Sequence, residues 1–224
     1  MLRPKLKICG LRDCEQAVAI ARLGVDAIGV IGVAGTPRWL EPAARPALFE
    51  AVAMARPGVE GVLVVADPSE GEMEELLPER GHRVVQLHGQ ESPETCADLR
   101  RRLGCAVWKA LRVRSQGDLD RARSYVGAVD ALVLDAWAPD QLGGTGRALP
   151  IDWLRGFGAP MPWWLAGGVS AQRIPALLAE LSPAGLDVSS SVEHSPGDKD
   201  LAKVADLVEA LRLGSQRGSG EDRF

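Results

Sequence analysis

Short apolar runs alternate with longer amphipathic stretches along nearly the whole chain. The runs Leu6–Cys9, Ala27–Val33, Gly61–Val65, Val84–Leu87, Ala106–Ala110, Ala131–Leu134, Trp163–Ala166 and Gly185–Val188 are rich in Val, Leu and Ile and mostly apolar on both faces. Strands read this way when helices cover both sides of a parallel sheet. The stretches between them read as helices. Asp13 is placed to cap the first, which stops at Gly24 and repeats Ala17, Ile20, Ala21 and Leu23 at helical spacing. Pro42 opens a second that ends near Arg56, and Ser69 with Glu72 forms a capping box for a third. Ser92-Pro93 starts a fourth through Leu103, and Ser115 with Asp118 a fifth. Asp152–Gly156 is a short sixth, Ser170 caps a seventh through Glu180, and Asp198 or Lys199 opens the eighth, to Leu213.

Strands recur every ~20–35 residues, as βαβ units require. Two architectures use such units. An open doubly wound sheet favours a Gly-x-Gly-x-x-Gly turn after its first strand. Here that turn reads Cys9-Gly10-Leu11-Arg12-Asp13, and the glycine clusters come late in the chain. The prediction is therefore α/β, a single-domain (β/α)8 TIM barrel over residues 1–213. Residues 214–224 lack an apolar face and are expected to be a disordered tail.

Composition changes this picture little. With 26 Lys and Arg against 30 Asp and Glu, the chain carries a net charge of −4, which argues against nucleic acid as a partner. No apolar run is long enough to span a membrane, and no signal-peptide core follows the N-terminus. The four cysteines (Cys9, Cys14, Cys96 and Cys105) make no C-x-x-C pair, so neither zinc nor a disulfide scaffold is expected. The expected location is the cytoplasm, with reduced thiols.

A barrel of this kind works at the C-terminal ends of its strands. Polar residues at those ends are Lys7, Cys9, Arg38, Asp67, Gln86, His88, Lys109, Asp135, Asp187 and Ser189–Ser191. Gly167-Gly168 after the seventh run, and Ser189-Ser190 after the eighth, suit an anion held by backbone amides; the glycine pair also suits a plain tight turn. Alternation puts Lys7 on the face of Cys9, where an ammonium would favour the thiolate and make Cys9 a base or nucleophile. Otherwise Cys9 is a small apolar residue. Asp135 reads as a general acid or as a tether for the next loop, which carries Gly143-Gly144-Thr145-Gly146. The Arg38 fork matches a carboxylate.

These residues in this order resemble phosphoribosylanthranilate isomerase of tryptophan biosynthesis. The resemblance runs over roughly residues 5 to 210. It rests on Lys7-Ile8-Cys9-Gly10, Pro37-Arg38, Val85-Gln86-Leu87-His88-Gly89, Leu134-Asp135 with Gly143-Gly144-Thr145-Gly146 and Asp152-Trp153, Leu165-Ala166-Gly167-Gly168, and Asp187-Val188-Ser189-Ser190. Val192-Glu193, Pro196-Gly197 and Lys199-Asp200 complete it. It implies an Amadori rearrangement of a small phosphoribosyl substrate, without metal or cofactor, by a monomer or homodimer. The general base would be Cys9 and the general acid Asp135. Arg38 would hold the substrate carboxylate, and Gly167, Gly168, Ser189 and Ser190 the phosphate. Asp187 and His88 would orient the sugar or the residues around it, and Lys7 and Gln86 would contact the substrate or stand next to residues that do. The chain departs from the family pattern at Gly32–Gly35, before Pro37-Arg38, and at Ser191, where the family has glycine; a left-handed backbone there would strain a serine. A related isomerase of another phosphoribosylamine and a non-catalytic sugar-phosphate-binding barrel are the alternatives.

Overall fold

The computed structural model describes residues 3–136 and 148–217; the Gly143–Gly146 loop and residues 218–224 lie outside them. Eight parallel strands close into a barrel in sequence order: β1 (Lys5–Cys9), β2 (Ala27–Ile31), β3 (Glu60–Val65), β4 (Val84–Leu87), β5 (Ala106–Val113), β6 (Ala131–Ala136), β7 (Trp163–Ala166) and β8 (Gly185–Val188). The register of β1 against β8, with Lys7 opposite Asp187, completes the ring. All eight apolar runs are strands. The second stops at Ile31, short of the expected Val33.

Apolar residues on both faces give two cores. Outward side chains such as Ile8, Ile28, Leu63 and Leu132 pack against the helices. Inward ones, including Ala27, Val62, Val84, Trp108, Val133 and Trp164, fill the barrel. Most inward residues are small, and the two tryptophans take up the remaining space. Their rings lie 4.7 Å apart at 33°. Each buries on the order of 200 Å², worth about 5 kcal/mol. Gly185 is glycine because a Cβ there would overlap the Trp164 ring.

The helices are α1 (Cys14–Arg22), α2 (Arg45–Ala55), α3 (Pro93–Leu103), α4 (Ile151–Arg155), α5 (Ile174–Glu180) and α6 (Leu201–Arg217). Asp13 caps α1 by accepting from the Gln16 amide at 2.8 Å, and α1 buries Ala17, Ile20 and Ala21. Ser92 caps α3, and Gly104 ends it at φ 63°. Removing such a cap costs about 1 kcal/mol.

Four expectations are corrected. The third and fifth helices are 3-10 segments, Glu70–Leu76 and Gln116–Tyr125, although both capping boxes form. Gly71 and Gly117 stand at their starts, where backbone entropy disfavours a full α-turn. The seventh helix begins at Ile174, without a side-chain cap from Ser170. Asp198–Lys199 is not a helix start but β10, paired with β9 (Glu193–Ser195). The eighth helix is capped instead by Asp200, which accepts from the Ala202 and Lys203 amides, and it runs past Leu213 to Arg217. No described helix is long and apolar enough to cross a membrane.

Candidate active site

At the C-terminal mouth of the barrel lies a cavity of about 450 Å³. Cys9 from β1, Asp135 from β6 and Asp187 from β8 line it, together with Gln86 and His88 from β4 and the loop after it. The long loop after β2 contributes Val33 through Arg38. Gly167, Gly168, Ser189 and Ser190 form the opposite rim. Of the residues that the resemblance assigns to the site, only Lys7 does not line the cavity. It sits beneath, fully buried.

Lys7 is held by Asp187, with Nζ donating to Oδ1 at 3.0 Å and to Oδ2 at 2.9 Å. Burial is the largest single influence on Lys7 and opposes its charge, but Asp187 and Cys9 together outweigh it and hold the ammonium above its ordinary pKa. Cys9 differs from expectation here. Burial raises its thiol, and the opposing pull of Lys7 does not cancel that rise because Lys7 is already matched by Asp187.

Gly29 of β2 shapes the same place. It is opposite Cys9 in the register. A Cβ on Gly29 would stand 2.7 Å from Cys9 Sγ and 3.0 Å from Lys7 Cε. The missing side chain is the room the thiol occupies. Gly29 escaped the sequence reading, although alternation from Ala27 to Ile31 puts it on the inward face.

On the facing side, Gln86 Nε2 lies 3.4 Å from His88 Nδ1. His88 Nε2 comes within 3.4 Å of Asp135 Oδ2, at ion-pair distance but misaligned for a hydrogen bond. Gln86 Oε1 and His88 Nε2 are buried without a hydrogen-bond partner among the described residues. A buried polar atom left open costs about 1–3 kcal/mol, so these two favour a polar ligand.

The two glycines after β7 adopt left-handed backbone, Gly167 at φ 83° and Gly168 at φ 63°. Ser189 Oγ donates to the Cys9 carbonyl at 3.0 Å, so the β8 loop is fastened to β1. Ser191 is not strained: Asp67 is the one described non-glycine residue with positive φ. Ser191 Oγ donates to the Val169 carbonyl at 2.5 Å and joins the two rim loops. The helix after Gly168 is only Ile174–Glu180, so this rim relies on loop amides more than on a helix end.

Two strand-end residues serve elsewhere. Glu91 accepts from Lys109 Nζ at 2.8 Å and from the Asp67 and Gly89 amides. Asp67 Oδ1 accepts from the Gln90 amide. This network fastens the loop that carries His88, and neither Asp67 nor Lys109 lines the cavity. The other cysteines have no site of this kind. Cys96, for example, is pushed up to about 12 by burial.

Arg38 lines the cavity, but Glu193 takes its fork: Nε donates to Oε1 at 2.9 Å and Nη2 to Oε2 at 2.7 Å. Lys199 Nζ donates to the same Oε1 at 2.6 Å. Glu193 and Lys199 were visible in sequence only as parts of motifs, without a role.

The closed parallel barrel with a concave cavity at the strand C-termini is that of a (β/α)8 enzyme acting on a small molecule. The family model for N-(5'-phosphoribosyl)anthranilate (PRA) isomerase matches residues 6–210. An N-(5'-phosphoribosyl)anthranilate isomerase from Synechococcus elongatus is 44% identical over 212 residues, 94% of this chain and 97% of its own. One from Gloeobacter violaceus is 46% identical over 206 residues, 91% of each chain. The crystal structure of the Thermus thermophilus isomerase superposes with a TM-score of 0.81 at 31% identity, covering 93% of this chain and 98% of that one. The chain belongs to the N-(5'-phosphoribosyl)anthranilate isomerase family, whose members are intramolecular isomerases of tryptophan biosynthesis.

Proposed function

We propose that the chain converts N-(5-phospho-β-D-ribosyl)anthranilate to 1-(2-carboxyphenylamino)-1-deoxy-D-ribulose 5-phosphate, with Asp135 as general acid and Cys9 as general base. The observation that carries this reading is that both side chains line one cavity, from β6 and β1. Asp135 gives its proton to the ribose ring oxygen as the bond from that oxygen to C1 breaks, leaving a Schiff base. The Cys9 thiolate then takes the proton from C2, and the electron pair moves to give an enolamine. Tautomerisation of the enolamine yields the ketone. A thiol raised by burial is a scarcer but stronger base, and the nearby Lys7 and Lys199 charges favour its ionised form.

Arg38 holds the anthranilate carboxylate, and Gly167, Gly168, Ser189 and Ser190 bind the phosphate. The open atoms of Gln86 and His88 suit sugar hydroxyls, and Asp187 with Lys7 keeps the Cys9 side of the mouth in place. The enzyme acts as a monomer or a homodimer in the cytoplasm. A Thermotoga maritima structure, 25% identical with a TM-score of 0.76, is described as monomers generated from a dimeric isomerase, so both assemblies have a counterpart there.

The test is loss of substrate fluorescence on adding purified protein. Cys9→Ala and Asp135→Asn are each expected to lower kcat at least about a hundredfold, with KM within a few-fold. Near wild-type kcat in a folded variant would remove that residue from the mechanism.

A further inference from the structure

The hairpin after β8 carries a charge cluster that touches the site without lining it. Glu193 of β9 has a side chain only 5% exposed, and the Lys199 side chain of β10 is wholly buried. Glu193 accepts from Arg38 twice, from Lys199, and from the Gly197 amide at 3.1 Å. Lys199 Nζ also reaches the Ser189 carbonyl at 3.3 Å. Burial would raise the Glu193 carboxyl, but the Arg38 and Lys199 hydrogen bonds bring it down to about 2. The Arg38 stem crosses Gly10, where a Cβ would stand 2.6 Å from Arg38 Cδ. Of this cluster, Arg38 reaches the cavity and Glu193 and Lys199 do not.

Two consequences follow from geometry and charge. Guanidinium has two forked edges. Glu193 takes the Nε–Nη2 edge, which fixes the plane of the group and leaves the Nη1–Nη2 edge as a second fork. Charge is the harder requirement. An arginine matched by one buried carboxylate has no net charge with which to attract another. Lys199, bonded to the same glutamate oxygen as Arg38 Nε, supplies the missing cation. Two cations against one carboxylate leave the cluster at a net +1 facing the cavity.

We propose that Glu193 and Lys199 are positioning residues for Arg38, Glu193 orienting the guanidinium and Lys199 cancelling the glutamate charge, so that the site selects a substrate bearing an aryl carboxylate. This rests on the reading of Arg38 as the carboxylate ligand. A movable glutamate would compete with substrate. Glu193 is instead held by four hydrogen bonds and stays in place.

The experiment compares KM and kcat for the anthranilate substrate with those for its carboxylate-free counterpart, made from aniline and ribose 5-phosphate. Thermal melts check folding of every variant. Glu193→Gln should raise KM for the carboxylated substrate about tenfold, leave kcat within about threefold, and leave the aniline-derived compound unaffected. Lys199→Met should also raise KM for the carboxylated substrate. In the Glu193→Gln background, Lys199→Met should have a smaller effect than in wild type, because no glutamate charge remains to cancel. An unchanged or lower KM in Glu193→Gln overturns the proposal, the lower value meaning that Glu193 competes with substrate. A Lys199→Met effect that is undiminished in the double variant overturns the charge role. Arg38→Met separates the two readings. If it raises KM only for the carboxylated substrate while Glu193→Gln does not, Arg38 keeps its role and the positioning pair is refuted. If it fails to discriminate between the substrates, the Arg38 reading falls and the proposal falls with it.

Discussion

Gly29→Ala puts one methyl into the space of the Cys9 thiol. The added Cβ would stand 2.7 Å from Sγ, 3.0 Å from Lys7 Cε and 3.1 Å from Cys9 Cα. An unstrained contact needs about 3.5–4.0 Å, so something must move by about 1 Å. The backbone is a poor candidate, because β1 and β2 are paired at this residue and the Cα belongs to the ladder. The Lys7 stem is held at its tip by Asp187. The thiol is the group that gives way. A misplacement of about 1 Å in a reacting group costs about a hundredfold in rate, and overpacking a barrel core costs about 1–3 kcal/mol. Initial rates by substrate fluorescence at saturation, beside urea denaturation, separate the two effects. The expected result is a kcat about a hundredfold lower, with KM within about twofold and a folded protein. A kcat within about threefold of wild type, in a variant whose denaturation midpoint has dropped, would refute the reasoning: the clash would be real and the position of the thiol irrelevant.

Lys7→Met leaves Asp187 buried without its cation and should cost about 3–5 kcal/mol in urea denaturation; a loss under about 1 kcal/mol would mean water or another group replaces the ammonium. Because burial raises the Cys9 thiol, the Cys9-dependent rate of alkylation by iodoacetamide should still be climbing above about pH 8.5, the ordinary thiol value; a plateau already reached by about pH 7 would contradict that shift. Glu193 is lowered from an ordinary value of 4.5 to about 2. Its stabilisation is therefore complete above the unfolded pKa and is lost as pH falls from about 5 to about 2, on the order of 3 kcal/mol. Melting temperature against pH should fall less steeply across that window for Glu193→Gln than for wild type, and identical slopes would contradict it.

The eight strands were legible because each is apolar on both faces and bounded by turn residues, a signal that survives without tertiary knowledge. Helix type was less legible. Over segments as short as Glu70–Leu76, periods of 3.0 and 3.6 residues place the same side chains inward, and the glycine at each start tips the balance to 3-10. Alternation correctly set Lys7 beside Cys9, but its consequence turned on Asp187, 180 residues on. The same holds for Glu193: only contact with Arg38, 155 residues away, gives it a role. Ser191 departs from the family pattern harmlessly, because its backbone is not left-handed and its hydroxyl joins the rim loops.

The bond between Lys7 and Asp187 closes the ring of strands as well as the site, since β1 has β8 as its second neighbour. A chain emerging from the ribosome at about 5–20 residues per second presents β1 with one edge bare for roughly 9 to 36 seconds before β8 arrives. During that interval the bare edge can accept strands from other chains. Arrival of the last strand removes that hazard and sets the buried ion pair beside Cys9 in one step. A truncated product of translation therefore has neither a protected edge nor a finished site, and proteolysis of such fragments sacrifices no activity.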